Sequence, residues 1–321
     1  MPAKGSGTSV ASVGLLEALR GTVGLWTMTL DALAPAAAAE TVAELDELGY
    51  PALWVPEAWG REAFTGAGLY LGASRKMAIA TGIASIWGRD AVASANAART
   101  LNAAFAQRFL LGLGVSHRPL VERLRGHDYQ SPLAAMESYL AAMDAAPMVA
   151  AEKDERVPRV IAALGPKMLD LGARAADGVH TYLVTPEHTA RSRAVIGSSF
   201  LAVEQAVVVG ESREEFLERA HAYLEFYTGL ENYRANWRRL GFTDEDFVRG
   251  GSTRLCDAMV AHVNDDDVRS AARDHVAAGA DHVCLQILGP GGGRDSDPRA
   301  LWRRLAPALR SAPTHSEGTP G

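Results

Sequence analysis

Several ionisable side chains stand where apolar runs give way to turns: Glu57 in VPEAWG, His117 in GLGVSH, Lys167 in ALGPKM and His180 in DGVHTYL. An imidazole titrates close to neutral pH, so His117 can donate a proton or hydrogen-bond to a bound ring. His180, beside Tyr182, is a second candidate of the same kind. Glu57 is the one ionisable side chain of its turn before Arg61, which makes it a candidate carboxyl donor. Gly165 and Pro166 end an apolar run and open a helix, so the amides from Lys167 and Met168 onward face out of a helix N-terminus, where a phosphate can sit. Gly112 and Gly114 leave room for a flat ring close to the backbone. The segment GPGGGR at 289–294 has the glycines of an anion nest, but is expected to be a flexible loop whose Arg294 meets a substrate or a cofactor tail.

Something must bring these residues together. From about residue 22 onward, continuous apolar runs alternate with helix-period segments: TVGLWTMTL, PALWVPEAW, KMAIATGIASIW, RFLLGLGVSH, RVIAALG, DGVHTYLV, SFLAVEQAVVVG and DHVCLQILG. Strands that are apolar on both faces are the strands of a covered parallel sheet. The first run is followed by a helix from Pro35 to Gly49, and the third by a helix opened by Asp90 with Val92, Ala95, Ala98, Leu101 and Phe105 on one face. Eight such strands predict an α/β fold closed as a (β/α)8 TIM barrel. No GxGxxG follows the first strand, as a dinucleotide-binding sheet would require. A long helical insertion is expected from about 212 to 278, before the last strand. The expected organisation is an N-terminal extension over 1–20, the barrel over 21–311 and a flexible tail over 312–321, with VASVGLLEALRG as a candidate docking helix.

Composition narrows the partners. The 321 residues are 48% apolar and 22% charged, the balance of a soluble globular protein. A formal charge of -6 with no basic block argues against nucleic acid. No stretch approaches the roughly 20 apolar residues of a membrane span, and no secretory leader pattern opens the chain, so a cytoplasmic protein is expected. Cys256 and Cys284 lack metal-knuckle spacing and are expected to be buried thiols; no metal is expected.

RFLLGLGVSH at 108–117 and ALGPKMLDLGARAADGVHTYLVTPEH at 163–188, supported by TGI in the third strand, resemble the luciferase-like flavin and F420-dependent oxidoreductases. The likeness is strongest to the F420-dependent branch typified by actinobacterial proteins and runs over about 22–310. It implies a luciferase-like barrel with coenzyme F420 across the C-terminal strand ends, a small organic substrate and a homodimer. FMN is the alternative cofactor, and with it a monooxygenase activity. By the same likeness Gly165, Pro166, Lys167 and Met168 contact the cofactor phosphate, and a bulge with a non-prolyl cis peptide near Gly82, Ile83 and Ala84 presses against the ring. Trp26 and Trp59 would floor the pocket. Where many F420-dependent relatives carry an Asp-His pair this chain has PEAWG, which leaves Glu57 and His117 as the proton donors for hydride transfer. The same departure suggests a further alternative, a non-catalytic barrel that binds cofactor without turnover.

Overall fold

Each apolar run becomes a parallel strand. The computed structural model describes residues 10–148, 156–210, 212–290 and 297–310. Arg294, the tail and residues 1–9 lie outside the described residues. The strands are β1 (Thr22–Trp26), β2 (Ala52–Val55), β3 (Ala78–Thr81) with its short continuation β4 (Ala84–Ser85), β5 (Phe109–Gly114), β6 (Arg159–Ala162), β7 (Gly178–Thr181), β8 (Phe200–Val209), β9 (Val260–Val263) and β10 (His282–Ile287). Because β10 pairs with both β8 and β1, eight of them (β1, β2, β3, β5, β6, β7, β8 and β10) close into a barrel, as the sequence predicts. β7 pairs with β8 from Phe200 to Val203, and β9 with the same strand from Ala206 to Val209. The 212–278 region is therefore not helical throughout: it contains β9, which satisfies the backbone of the part of β8 that outruns β7.

Helices α1 (Val10–Leu19), α2 (Pro35–Glu47), α3 (Ala63–Ala73), α4 (Ala91–Ala104), α5 (Pro132–Asp144), α6 (Pro166–Ala175), α7 (Pro186–Ile196), α8 (Arg213–Leu224), α9 (Glu231–Arg239), α10 (Thr253–Met259), α11 (Ser270–Ala277) and α12 (Arg299–Arg310) occupy the connections and the ends. Their starts are written locally. Proline opens α2, α5, α6 and α7. Asp90 caps α4 by accepting from the Ala93 amide at 2.8 Å, and Ser212 with Glu215 forms a capping box on α8. On α4 the buried stripe is Ala91, Ser94, Ala95, Ala98 and Asn102, so Val92, expected inside, is instead exposed.

The N-terminal helix closes the end of the barrel from which the strands start. Leu19 packs with Trp54, Val160, Phe200 and Cys284 in the inner cluster, with Leu15 and Leu16 against it. Above this layer the interior turns polar. Trp54 Nε1 donates to His282 Nε2 at 3.1 Å, and Thr22 Oγ1 lies 2.9 Å from His282 Nδ1 while donating to the Leu19 carbonyl at 2.7 Å. That order of donors fixes His282 as a neutral ring protonated on Nδ1.

Candidate active site

The C-terminal ends of β1, β2, β3, β5, β6, β7 and β10 open into one cavity of about 870 Å³, roofed by α8, α9 and the turn at 225–227. Such a volume suits a cofactor-sized ligand. At its floor the Gly82–Ile83 peptide is cis. It is held from three sides: Gly82 N donates to Val55 O at 2.8 Å, Glu57 N to Ile83 O at 3.0 Å and Trp26 Nε1 to Gly82 O at 3.0 Å. Both neighbouring glycines are required sterically. A Cβ on Gly82 would lie 2.8 Å from Trp26 Nε1, and one on Gly114 would lie 2.4 Å from Ile83 Cδ1. Gly112 does not line the cavity: its Cβ would meet Thr81 O at 1.9 Å, and Thr81 Oγ1 exchanges hydrogen bonds with both its N–H and its carbonyl. Strand packing, and not a ring, is what excludes a side chain there. Ala84 is likewise buried beside Leu113, away from the cavity.

Trp26 lines the floor, whereas Trp59 stands at the rim, 39% exposed and edge-on to Phe226 at 5.7 Å.

Glu57 lines the cavity, but both its oxygens are occupied as acceptors. Oε2 takes the Ser85 amide at 2.8 Å, while Oε1 is ion-paired with Arg89 and lies 3.8 Å from Arg125 Nη2. Arg89 also reaches Glu62 at 2.8 Å, the residue that caps α3. Glu57 thus ties the turn after β2 to β4 and α3, with a donor already engaged at each oxygen.

His117 sits in the cavity wall with Tyr233 and Phe226 ring centroids at 5.6 Å and 6.3 Å. Burial holds its pKa down at about 4, against a hydrogen bond that the ring donates to the Asn232 side chain. Nδ1 has no partner among the described residues. His180 stacks on Trp54 at 4.6 Å, neither ring nitrogen makes a well-aligned hydrogen bond among the described residues, and burial pushes it down to about 3 against a contact with the Ala202 backbone. Both rings are neutral near neutral pH. They can hydrogen-bond a ligand, but neither stores a proton.

On the opposite wall three tyrosine hydroxyls converge. Tyr182 donates to Gln286 Oε1 at 2.8 Å and lies 2.8 Å from the Tyr227 hydroxyl, while Tyr223 lies 2.9 Å from Tyr182 and 3.3 Å from Glu204 Oε1.

At the far end of the cavity the loop after β6 leads into α6. Gly165 and Met168 line it, whereas the side chains of Pro166 and Lys167 are exposed and do not. In the first turn of α6 Pro166 has no amide hydrogen and Met168 N bonds back to Gly165 O at 3.1 Å, so the outward-facing amide is that of Lys167. His188 from α7 fixes this turn by donating from Nε2 to Leu164 O at 2.9 Å. Arg239 Nη2 stands 3.7 Å from where a Gly165 Cβ would be, so a guanidinium and a helix N-terminus face the same spot. No cluster of three or more metal-ligating side chains is present among the described residues.

The profile of the luciferase-like monooxygenase family matches residues 21–272. The chain belongs to that family. A protein of Mycobacterium tuberculosis named as a proposed coenzyme F420-dependent oxidoreductase is 32% identical over 102 residues, covering 32% of this chain and 29% of its own. The chain therefore spans under a third of the length of that relative. Among solved structures, an F420-dependent secondary alcohol dehydrogenase in complex with an F420-acetone adduct superposes with a TM-score of 0.70 at 15% identity, covering 91% of this chain and 100% of that one. The coenzyme F420-dependent tetrahydromethanopterin reductase of Methanopyrus kandleri gives 0.67 at 14% identity, covering 89% and 97%. At these identities the superpositions speak for the luciferase-like barrel alone.

The sequence of this luciferase-like chain points to Tyr182 beside His180, but not to Arg239, to His188 or to the Glu204, Tyr223 and Gln286 side chains that meet Tyr182. A signal existed for one of them: Glu204 interrupts the apolar strand SFLAVEQAVVVG. The others come from segments far apart in the chain.

Proposed function

We propose that this luciferase-like protein binds coenzyme F420 and catalyses hydride transfer between the deazaflavin and a small organic substrate. The observation that carries this reading is a single cavity with an anion-binding end and an aromatic-walled ring end. Gly165, the α6 N-terminus and Arg239 would take the cofactor phosphate, and Ile83 and Gly114 would border the ring. His117 Nδ1, which has no partner among the described residues, and the His180 ring offer neutral hydrogen-bonding groups to it. When bound, the deazaflavin supplies a hydride without activating oxygen. The chain's part is to hold the reactants together and to exclude water with Phe226, Tyr227 and Tyr233. The relative named for coenzyme F420 supports this cofactor over FMN. A homodimer is proposed by family likeness alone. No helix among the described residues is long and apolar enough to cross a membrane.

Replacing Arg239 by Ala tests the phosphate end. Its side chain is exposed and makes one side-chain hydrogen bond, to Asn236 Oδ1 at 3.1 Å, so folding should be little affected. F420 affinity, read by fluorescence titration, is expected to fall about tenfold and to lose part of its salt dependence. Unchanged affinity would place the phosphate elsewhere.

A further inference from the structure

We propose that Glu204 is the proton store of the reaction, and that Tyr223 and Tyr182 carry its proton into the cavity; this rests on the hydride-transfer reading. Hydride addition to a polar double bond such as a carbonyl needs a proton at the oxygen, and the obvious donors are committed elsewhere. Glu57 is occupied by Ser85 and Arg89, and the rings of His117 and His180 are neutral. Glu204 is different. It is 1% exposed, in the middle of β8, and no ion pair reaches it among the described residues. Oε2 accepts from the Leu183 amide at 3.1 Å, which leaves Oε1 facing the Tyr223 hydroxyl at 3.3 Å.

From there the path is continuous. Tyr223 lies 2.9 Å from Tyr182 and Tyr182 lies 2.8 Å from Tyr227. These three tyrosines line the cavity and Glu204 does not. The groups able to titrate around Glu204 are Tyr182, Tyr223, Tyr227, Tyr233 and, across the strand pair, Cys284. None of them is a cation. Burial raises the Glu204 carboxyl to about 8, against the hydrogen bonds from Leu183 and Tyr223. Burial also raises Tyr182 and Tyr223 well above their ordinary range, so these hydroxyls relay a proton and do not lose one at rest.

As hydride reaches the carbonyl carbon, the π pair moves to oxygen; that oxygen takes the Tyr182 proton, Tyr182 takes that of Tyr223, and Tyr223 takes that of Glu204. An alcohol and a Glu204 carboxylate remain, and solvent reprotonates the carboxylate after product leaves. Oxidation of an alcohol runs the same path backwards. Glu204 acts through Tyr223 and touches no substrate.

The test compares wild type with Glu204→Gln and Tyr223→Phe. In infrared spectra of the unliganded protein, wild type should show a protonated-carboxyl band near neutral pH that is lost as pH rises through about 8 and is absent from Glu204→Gln. Tyr223→Phe should keep the band. Both variants should bind F420 like wild type, turn over about 10²-fold more slowly, and lose the alkaline limb that wild type shows. Absence at neutral pH of a protonated-carboxyl band that Glu204→Gln removes, or a Glu204→Gln variant with wild-type turnover and the same alkaline limb, would overturn the proposal. Wild type that binds no F420 overturns the hydride-transfer reading and the relay's use in it, while the band separately decides whether Glu204 holds a proton.

Discussion

As pH falls from 6.5 to about 4, the protein is expected to lose several kcal/mol of stability and to unfold in mild denaturant. The cause is a set of imidazoles folded in their neutral form. Burial holds His180 at about 3 and His117, His275 and His282 at about 4, against an ordinary value of 6.5. Over that window the unfolded chain binds more protons than the folded one, so stability is full above 6.5 and drains as pH falls towards the folded values. A tenfold difference in proton affinity between the folded and unfolded chain is worth about 1.4 kcal/mol, and several such groups together rival the roughly 5–15 kcal/mol of a whole domain. Glu204 works in the opposite sense, because its folded value of about 8 lies above the ordinary 4.5. It costs stability as pH rises between those two values, so the optimum falls near neutrality. Urea midpoints at about pH 7 and about pH 5 check the sign. Equal midpoints would mean that these rings can take up protons where they sit.

The second large effect is at Glu57. Removing its side chain in Glu57→Ala leaves the Arg89 guanidinium, 12% exposed, and the buried Ser85 amide without their shared acceptor. Breaking a buried pair costs about 3–5 kcal/mol, and because Arg89 keeps Glu62 at 2.8 Å the loss is expected at the lower end of that range. Glu57→Gln keeps an oxygen for Ser85 but not the charge for Arg89, and should cost less. Thermal unfolding with F420 titration separates this role from proton donation. An anchoring role predicts lower stability together with weaker binding, as the turn after β2 loosens from Ser85 and Arg89. If Glu57→Gln instead kept its midpoint and lost only turnover, a donor role would stand. Indifference of both would favour a barrel that binds cofactor without turnover.

The barrel was legible because every strand carries its own signal, an apolar run ended by a turn, and many helix starts carry a proline or a cap. The short β9 was not, because VAHV lies between a helix and the acidic run NDDD and owes its pairing to the free half of β8. The α6 turn, the cis segment and the glycines were visible as types, but their depth in the barrel was not. Gly112 and Gly114 alternate onto the same face, yet only Gly114 reaches the cavity while Gly112 lies under the Thr81 carbonyl. Protonation was the least legible property. Burial works against what the residue types suggest: it lowers the proton affinity of His117 and His180 and raises that of the strand carboxyl Glu204, while Glu57, a free carboxyl by its sequence neighbours, is held by Arg89. The tyrosine group joins Tyr182 to Gln286 across 104 residues, a contact that only closure of the barrel creates.

The most direct test of the account is a parallel titration of the purified apoprotein with F420 and with FMN, followed by fluorescence and thermal stability. Binding of F420 in the micromolar range or tighter, with a raised unfolding temperature and little response to FMN, is the predicted result. Preference for FMN would move the activity to flavin-dependent oxygenation, and binding of neither would contradict the assignment of this cavity as a cofactor site.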